Sequence, residues 1–180
     1  RAEALKSAPR VGIESPTLVG SISLVGARLD DLVLKQYGQT VEDNSKRIHL
    51  LHPSGAPKSY FAEFGWVGGS DSPNLPGPTT IWSSDGKQLT PGQPVTLSWD
   101  NGAGLKFERT YSLDQGYMVT VTQKVINTGE TPTALFPYGL IARSGTPDTL
   151  GFYILHEGPL GVFDGTLREY DYDDVQEKKI

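Results

Sequence analysis

The strongest constraint on this chain lies between Pro94 and Ile141, PVTLSWDNGAGLKFERTYSLDQGYMVTVTQKVINTGETPTALFPYGLI, where apolar and polar side chains alternate with little helical spacing. Successive side chains of an extended backbone point to opposite faces, so this alternation predicts half-buried strands. Tyr117, Val119, Val121 and Val125 fall on one face, with Thr120, Thr122 and Lys124 on the other. Leu105, Phe107 and Tyr111 repeat the pattern against Lys106, Glu108 and Thr110. The breaks come at Asp100-Asn101-Gly102, Asp114-Gln115-Gly116 and Asn127-Thr128-Gly129, residues that tolerate the positive φ of hairpin turns. The stretch is therefore expected to form one continuous antiparallel meander in an all-β sandwich. A slip of one residue would turn each apolar face to water.

Further strands are expected near Val11 to Glu14, Leu18 to Val25, Arg28 to Gln36, Arg47 to Leu51, Ser59 to Val67 and Thr79 to Ser83. A tight return near Gly26 lets Ile22, Leu24, Leu32 and Leu34 meet. Gly68 to Pro78, rich in proline and glycine, cannot be a central strand, because proline lacks a backbone donor and fixes φ. Ser144 to Thr149 is a second loop. Residues 1–9 lack strand periodicity and suit a flexible lead-in, and Thr166 to Val175 reads as a last strand.

The chain has 180 residues with 37% hydrophobic content, enough for one domain with a real core. Lys and Arg number 16 against 21 Asp and Glu, a formal net charge of -5, and the basic residues are scattered, which argues against a nucleic-acid partner. The absence of cysteine excludes a disulfide framework, a thiolate zinc site and a cysteine nucleophile. The longest nearly apolar run, Ala134 to Ala142, contains Pro137 and falls far short of the roughly 20 residues a membrane-spanning helix needs.

Few residues carry candidate chemistry. His49 and His52 would share a helix face, but on a strand their odd spacing sends them to opposite faces, so a bland surface reading outweighs a metal site. His156-Glu157 offers an acid and a base, yet neighbours on a strand also point apart. Glu169, Asp171, Asp173 and Asp174 cluster without the glycine and closing glutamate of a calcium loop, and read as a solvated strand face. No phosphate loop and no nucleophile elbow occurs. Trp66, Trp82 and Trp99 could stack a sugar, but each sits in an apolar strand pattern where core burial is the simpler account.

YMVTVTQKVINTGETPTALFPYGLIARSGTP and GFYILHEGPLGVF resemble the large periplasmic domain of the YidC/Oxa family of membrane protein insertases. VGIESPTLVGSISLVGARLDDLVLKQY and HPSGAPKSYFAEFGWVGG look like its first strands, so the resemblance covers roughly residues 10 to 175. It implies a large antiparallel β-super-sandwich similar to the galactose mutarotase-like fold, with residues 1–9 following a membrane anchor and 10–180 forming the first part of the domain. It also implies a bacterial inner-membrane protein with this domain facing the periplasm. Insertion, alone or with the Sec translocon, would reside in transmembrane helices outside this chain, with no nucleotide, metal or other cofactor. On that reading the domain is a non-catalytic accessory whose partners are Sec accessory subunits and nascent membrane proteins. The acidic edge at Glu169, Asp171, Asp173 and Asp174 is the candidate contact, because family resemblance places a Sec accessory subunit on this later part of the domain. The rival reading is a carbohydrate-binding or mutarotase-like sugar-active protein, since the fold alone does not carry function.

Overall fold

The structure is a computed structural model that describes residues 1–69, 74–148 and 156–177. A short helix, α1 (Ala2–Lys6), precedes β1 (Arg10–Glu14), β2 (Leu18–Ser23), β3 (Arg28–Gly38), β4 (Arg47–Leu51) and β5 (Tyr60–Gly68). Two short strands follow, β6 (Ser83–Ser84) and β7 (Gln88–Leu89), then β8 (Val95–Asp100), β9 (Leu105–Leu113), β10 (Val119–Asn127) and β11 (Leu135–Arg143). Beyond Ser144 a separate small unit, Gly145–Ile180, holds β12 (Leu160–Phe163), β13 (Thr166–Glu169) and α2 (Tyr172–Glu177).

In the larger unit, Arg1–Ser144, two sheets share one core. The seven-stranded sheet runs β11-β5-β3-β2-β1-β7, with β4 also on β3, and the four-stranded sheet runs β10-β9-β8-β6. Val11, Ile13, Leu18, Ile22, Leu32 and Trp66 from the first sheet are buried, as are Val95, Leu97, Leu105, Phe107 and Tyr111 from the second. Leu24 and Leu34 pack against the same cluster, so the expected meeting across the β2–β3 hairpin occurs. Trp66 and Trp82 are core residues, as their strand pattern implied; Trp66 meets the edge of Phe107 at 5.0 Å between ring centres.

The hairpin grammar holds for β8, β9 and β10. Asp100 and Asn101 side chains accept from the Gly102, Ala103 and Leu105 amides, Asp114 from those of Gly116 and Met118, and Asn127 from that of Gly129. Each side chain substitutes for ladder partners the turning backbone has lost. On β10, Val119, Val121 and Val125 pack against the core while Thr120, Thr122 and Lys124 are exposed. Tyr117 does not share their face: it precedes the strand, is 41% exposed, sits against the Tyr37 ring and donates to Gln36 Oε1 at 3.1 Å.

The single continuous meander is a correction. After Asn127 the chain leaves the four-stranded sheet, and β11 pairs with β5 in the other from Leu135–Gly68 through Arg143–Tyr60. The linker cannot make a tight hairpin: Thr128 N–H donates to the Gly104 carbonyl at 2.8 Å and Asn127 Nδ2 to that of Thr131 at 2.9 Å. The first bond pins the linker to the β8–β9 turn, and the second closes a turn within the linker itself. The expected strand at Thr79 to Ser83 shrinks to an Ile81–Val25 bridge and β6. Parts of the loops expected at Gly68 to Pro78 and Ser144 to Thr149, and of GFYILHEGPLGVF, lie outside the described residues.

The strand expected from Thr166 to Val175 is also corrected. β13 ends at Glu169, and Val175 N–H donates to the Asp171 carbonyl at 3.2 Å to begin α2. Asp171 precedes the helix, and Asp173 and Asp174 occupy its first turn. Acidic groups are favoured there because the free amides of a first turn carry partial positive charge. That local preference outweighs the alternation of Tyr170 and Tyr172.

Arg109 is the residue that alternation alone does not foresee. It lies between Phe107 and Tyr111 on the buried face of β9 and is 1% exposed. Its guanidinium donates to the Ala27 carbonyl at 2.8 Å and to the Phe64 carbonyl, and lies 4.9 Å from the Trp82 ring centre.

The two faces of β10 give a direct comparison. Val121→Asp places a carboxylate against the core and should lower unfolding free energy by roughly 1–3 kcal/mol. Thr120→Asp on the exposed face should stay within about 0.5 kcal/mol of the parent. Chemical denaturation of the two variants checks this, and equal losses would mean that the outer face of β10 is covered.

Candidate functional site

A charged layer lies on the seven-stranded sheet. Asp30 is the extra residue of a bulge in the β2–β3 ladder, where Ser21 pairs with Asp31 and Ile22 with Leu29. Both Asp30 and Asp31 are buried. Arg10 pairs with Asp30 and also donates to Ser21 Oγ at 2.7 Å; Ser21 donates to Asp31 at 2.8 Å, and Arg1 pairs with Asp31. Burial pushes the Asp30 carboxyl up, against the opposing pull of Arg10. Arg28 Nε donates to Glu63 at 2.6 Å and to Ser54 Oγ through Nη1 at 3.1 Å. Every cation of this layer has a carboxylate partner, so it has the character of structural pairing.

His49 and His52 come together, contrary to the odd-spacing expectation: their rings are 5.7 Å apart. The cause is a bulge in β4, where Val33 pairs with His49 and Leu32 with Leu51, leaving Leu50 extra and making the effective step from His49 to His52 even. Burial, then Arg1 and His52, lower the His49 pKa. Among the described residues no third metal-ligating side chain joins the pair. In the smaller unit His156 Nδ1 lies 3.6 Å from Asp171 Oδ1, an approach of imidazole and carboxylate that the sequence did not suggest.

The acidic residues Glu169, Asp171 and Asp173 are exposed, and Asp174 is half-buried. They run from the end of β13 through the first turn of α2, so a strand face is replaced by a helix entry. The same unit exposes apolar side chains on its hairpin, among them Leu160, Val162, Phe163 and Leu167.

The larger unit has a cleft of about 260 Å³ between its sheets. Trp66 from β5, Leu105 from β9, Val125 from β10 and Leu135 and Pro137 from β11 supply its apolar wall, and Asn127 and Thr133 its polar rim. β10 and β11 are terminal in their respective sheets among the described residues. Gln123 Nε2 of β10 reaches the Tyr138 carbonyl of β11 at 3.3 Å. Phe136 and Ile141 on β11 are 64% and 72% exposed. A terminal strand offers unpaired backbone donors and acceptors, and here two such strands lie beside the cleft.

This arrangement is an all-β sandwich of two sheets whose terminal strands β10 and β11 flank one cleft. The chain belongs to the YidC periplasmic domain family, whose sequence model matches residues 10–180. It is 51% identical over 176 residues to the "Membrane protein insertase YidC" of Methylorubrum extorquens (strain PA1), covering 97% of this chain and 28% of that protein. It is 48% identical over 181 residues to the protein of the same description from Bradyrhizobium diazoefficiens, covering 99% and 29%, and 49% identical over 173 residues to that of Dinoroseobacter shibae, covering 94% and 28%. The chain thus spans under a third of these relatives. Among the described residues no helix is long and apolar enough to cross a membrane.

The lowered pKa of His49 sets a pH dependence. An imidazole harder to protonate in the folded state binds more protons when unfolded, so stability falls as pH drops from about 6.5 toward the folded value. His49→Gln should flatten that part of the stability profile and leave stability above pH 7.5 nearly parallel to the parent. Thermal melts across the pH range measure it, and an unchanged slope would remove His49 as its source.

Proposed function

We propose that this chain is the periplasmic portion of a bacterial inner-membrane insertase that inserts and folds membrane proteins, alone or with the Sec translocon. The observation that carries this reading is a family match over residues 10–180 together with relatives named membrane protein insertases. The domain acts as a non-catalytic accessory, and insertion belongs to membrane-embedded parts of the longer protein. Nascent membrane proteins are its substrates. Depleting the protein that carries this chain should leave newly made inner-membrane proteins uninserted and open to protease added from the cytoplasmic side. Normal insertion after depletion would overturn the reading.

The same reading takes residues 1–9 as a lead-in after a membrane anchor and residues 10–180 as the first part of a larger sandwich. The terminal β10 and β11, with Phe136 and Ile141 exposed, favour strands that continue both sheets. The carbohydrate-active rival gains nothing from the geometry. The imidazole of His156 approaches Asp171, and Trp66 and Trp82 are closed inside the core.

For partners, the proposal assigns Glu169, Asp171, Asp173 and Asp174 to contact with a Sec accessory subunit. Charge at this helix entry can steer a basic surface, an effect that weakens with salt. Replacing Asp171, Asp173 and Asp174 by Asn in the full-length protein should reduce co-purification with Sec accessory subunits several-fold at low salt. It should also leave the melting temperature within a few degrees of the parent, because carboxylates at a helix entry contribute only about 0.3–1 kcal/mol each. Undiminished co-purification would make this segment ordinary surface.

A further inference from the structure

The larger unit has a small cavity of about 10 Å³ between its sheets, lined among others by Glu63, Trp82, Arg109 and Tyr138, with Pro76 and Gly77 from the preceding loop. That is the scale of one water molecule. Two of the lining residues each carry a buried donor without a protein partner among the described residues. Arg109, 1% exposed, uses its terminal nitrogens on the Ala27 and Phe64 carbonyls, and its Nε–H has no acceptor among the described residues. Trp82 is 2% exposed, and its Nε1–H likewise has none. Buried donors of this kind are almost always satisfied, by protein or by ordered water.

Acceptors line the same space. Glu63 takes hydrogen bonds from Arg28 Nε at 2.6 Å and from the Tyr138 hydroxyl at 3.3 Å. A carboxylate has about four lone-pair sites, so two remain. The Tyr138 ring is held in place by lying over Gly65, where a Cβ would meet ring carbon at 2.6 Å.

We propose that this cavity is a binding site for a single ordered water, which accepts from Arg109 Nε and Trp82 Nε1 and donates to Glu63. A water molecule has two lone pairs and two protons, matching the two orphaned donors and the free capacity of the carboxylate. A halide could accept from both donors, but it has no proton to give Glu63 and would be repelled by its charge. The water links the buried cation of β9 to the carboxylate of β5. Glu63 thereby serves Arg28 directly and Arg109 through one bridging molecule, across the interface between the sheets.

The unchanged chain tests this. A high-resolution crystal structure should show one density peak within hydrogen-bonding distance of both Arg109 Nε and Trp82 Nε1. In solution, water-selective NOE and ROE spectra of the ¹⁵N-labelled chain should give a Trp82 indole cross-peak with the opposite signs of a long-lived water. The peak should persist in Tyr138→Phe, which leaves no tyrosine hydroxyl in the cavity to relay the signal. A slowly exchanging Trp82 indole proton without a water cross-peak, or an empty cavity in the crystal, would overturn the proposal. A Trp82 indole shift on exchanging chloride for bromide, with an anomalous bromide peak in the cavity, would overturn it in favour of an anion.

Discussion

The two sheets are held in one arrangement by a guanidinium where a sandwich core would ordinarily carry an aliphatic side chain. A buried charge is costly unless its donors and its field are met. Arg109 meets this with carbonyls and π faces: it donates to Ala27 in the β2–β3 turn and to Phe64 on the opposing sheet and lies over Trp82, with Trp66 and Phe64 rings within 6 Å. The Ala27 carbonyl also accepts from the Tyr111 hydroxyl at 2.9 Å. Two side chains two residues apart on β9 thus hold one backbone oxygen of the β2–β3 turn. Burial pushes the Tyr111 phenol up, which keeps it a donor.

That oxygen belongs to an unusual turn. Ala27 is fully buried with φ of 50°, and Gly26 before it has φ of 72°. Left-handed alanine is uncommon and costs energy, so the surrounding structure must over-determine it. It does: Gly26 N–H donates to the Thr80 carbonyl at 2.8 Å, and a Cβ at Gly26 would meet the Pro78 carbonyl oxygen at 2.7 Å. The glycine is required both for its dihedral and for the approach of the 78–80 segment. The turn, β9 and the loop before β6 therefore depend on one another, and Arg109 is where they meet.

Much of this was legible from alternation. The β4 bounds match Arg47 to Leu51, and the side-chain-capped turns of β8 to β10 fall where Asp, Asn and Gly predicted them. The failures share a cause. Arg109 occupies a core position in the period-two pattern, but an arginine there carries no apolar signal, and its partners lie 82 and 45 residues away in sequence. Strand parity alone sets His49 and His52 on opposite faces, because a bulge, which shifts parity by one, leaves no mark in a single sequence. β11 lies in a nearly apolar run, which marks no particular partner, so nothing local revealed that it would pair with β5. At Thr166 to Val175 the alternation was genuine, yet carboxylates placed for a helix entry decided the outcome. The acidic residues of the candidate site were thus visible as charge, but not in their geometry.

The distribution of order within the larger unit bears on what such a domain can do. Its rigid joint, Arg109 with Trp66, Trp82 and the Gly26-Ala27 turn, lies in the core, whereas the cleft touches that joint only through Trp66. The cleft's other walls come from β9, β10 and β11 and from the linker pinned to Gly104. An occupant entering beside β10 and β11 would meet a wall fixed on one side by a core tryptophan and bounded on the other by terminal strands. Such strands can accept new backbone partners without disturbing the core. Binding there would leave the registry of the sheets intact, because that registry is set by Arg109 and Tyr111 on the Ala27 carbonyl. A domain built this way can add strands or polypeptide at one side while its fold stays unchanged.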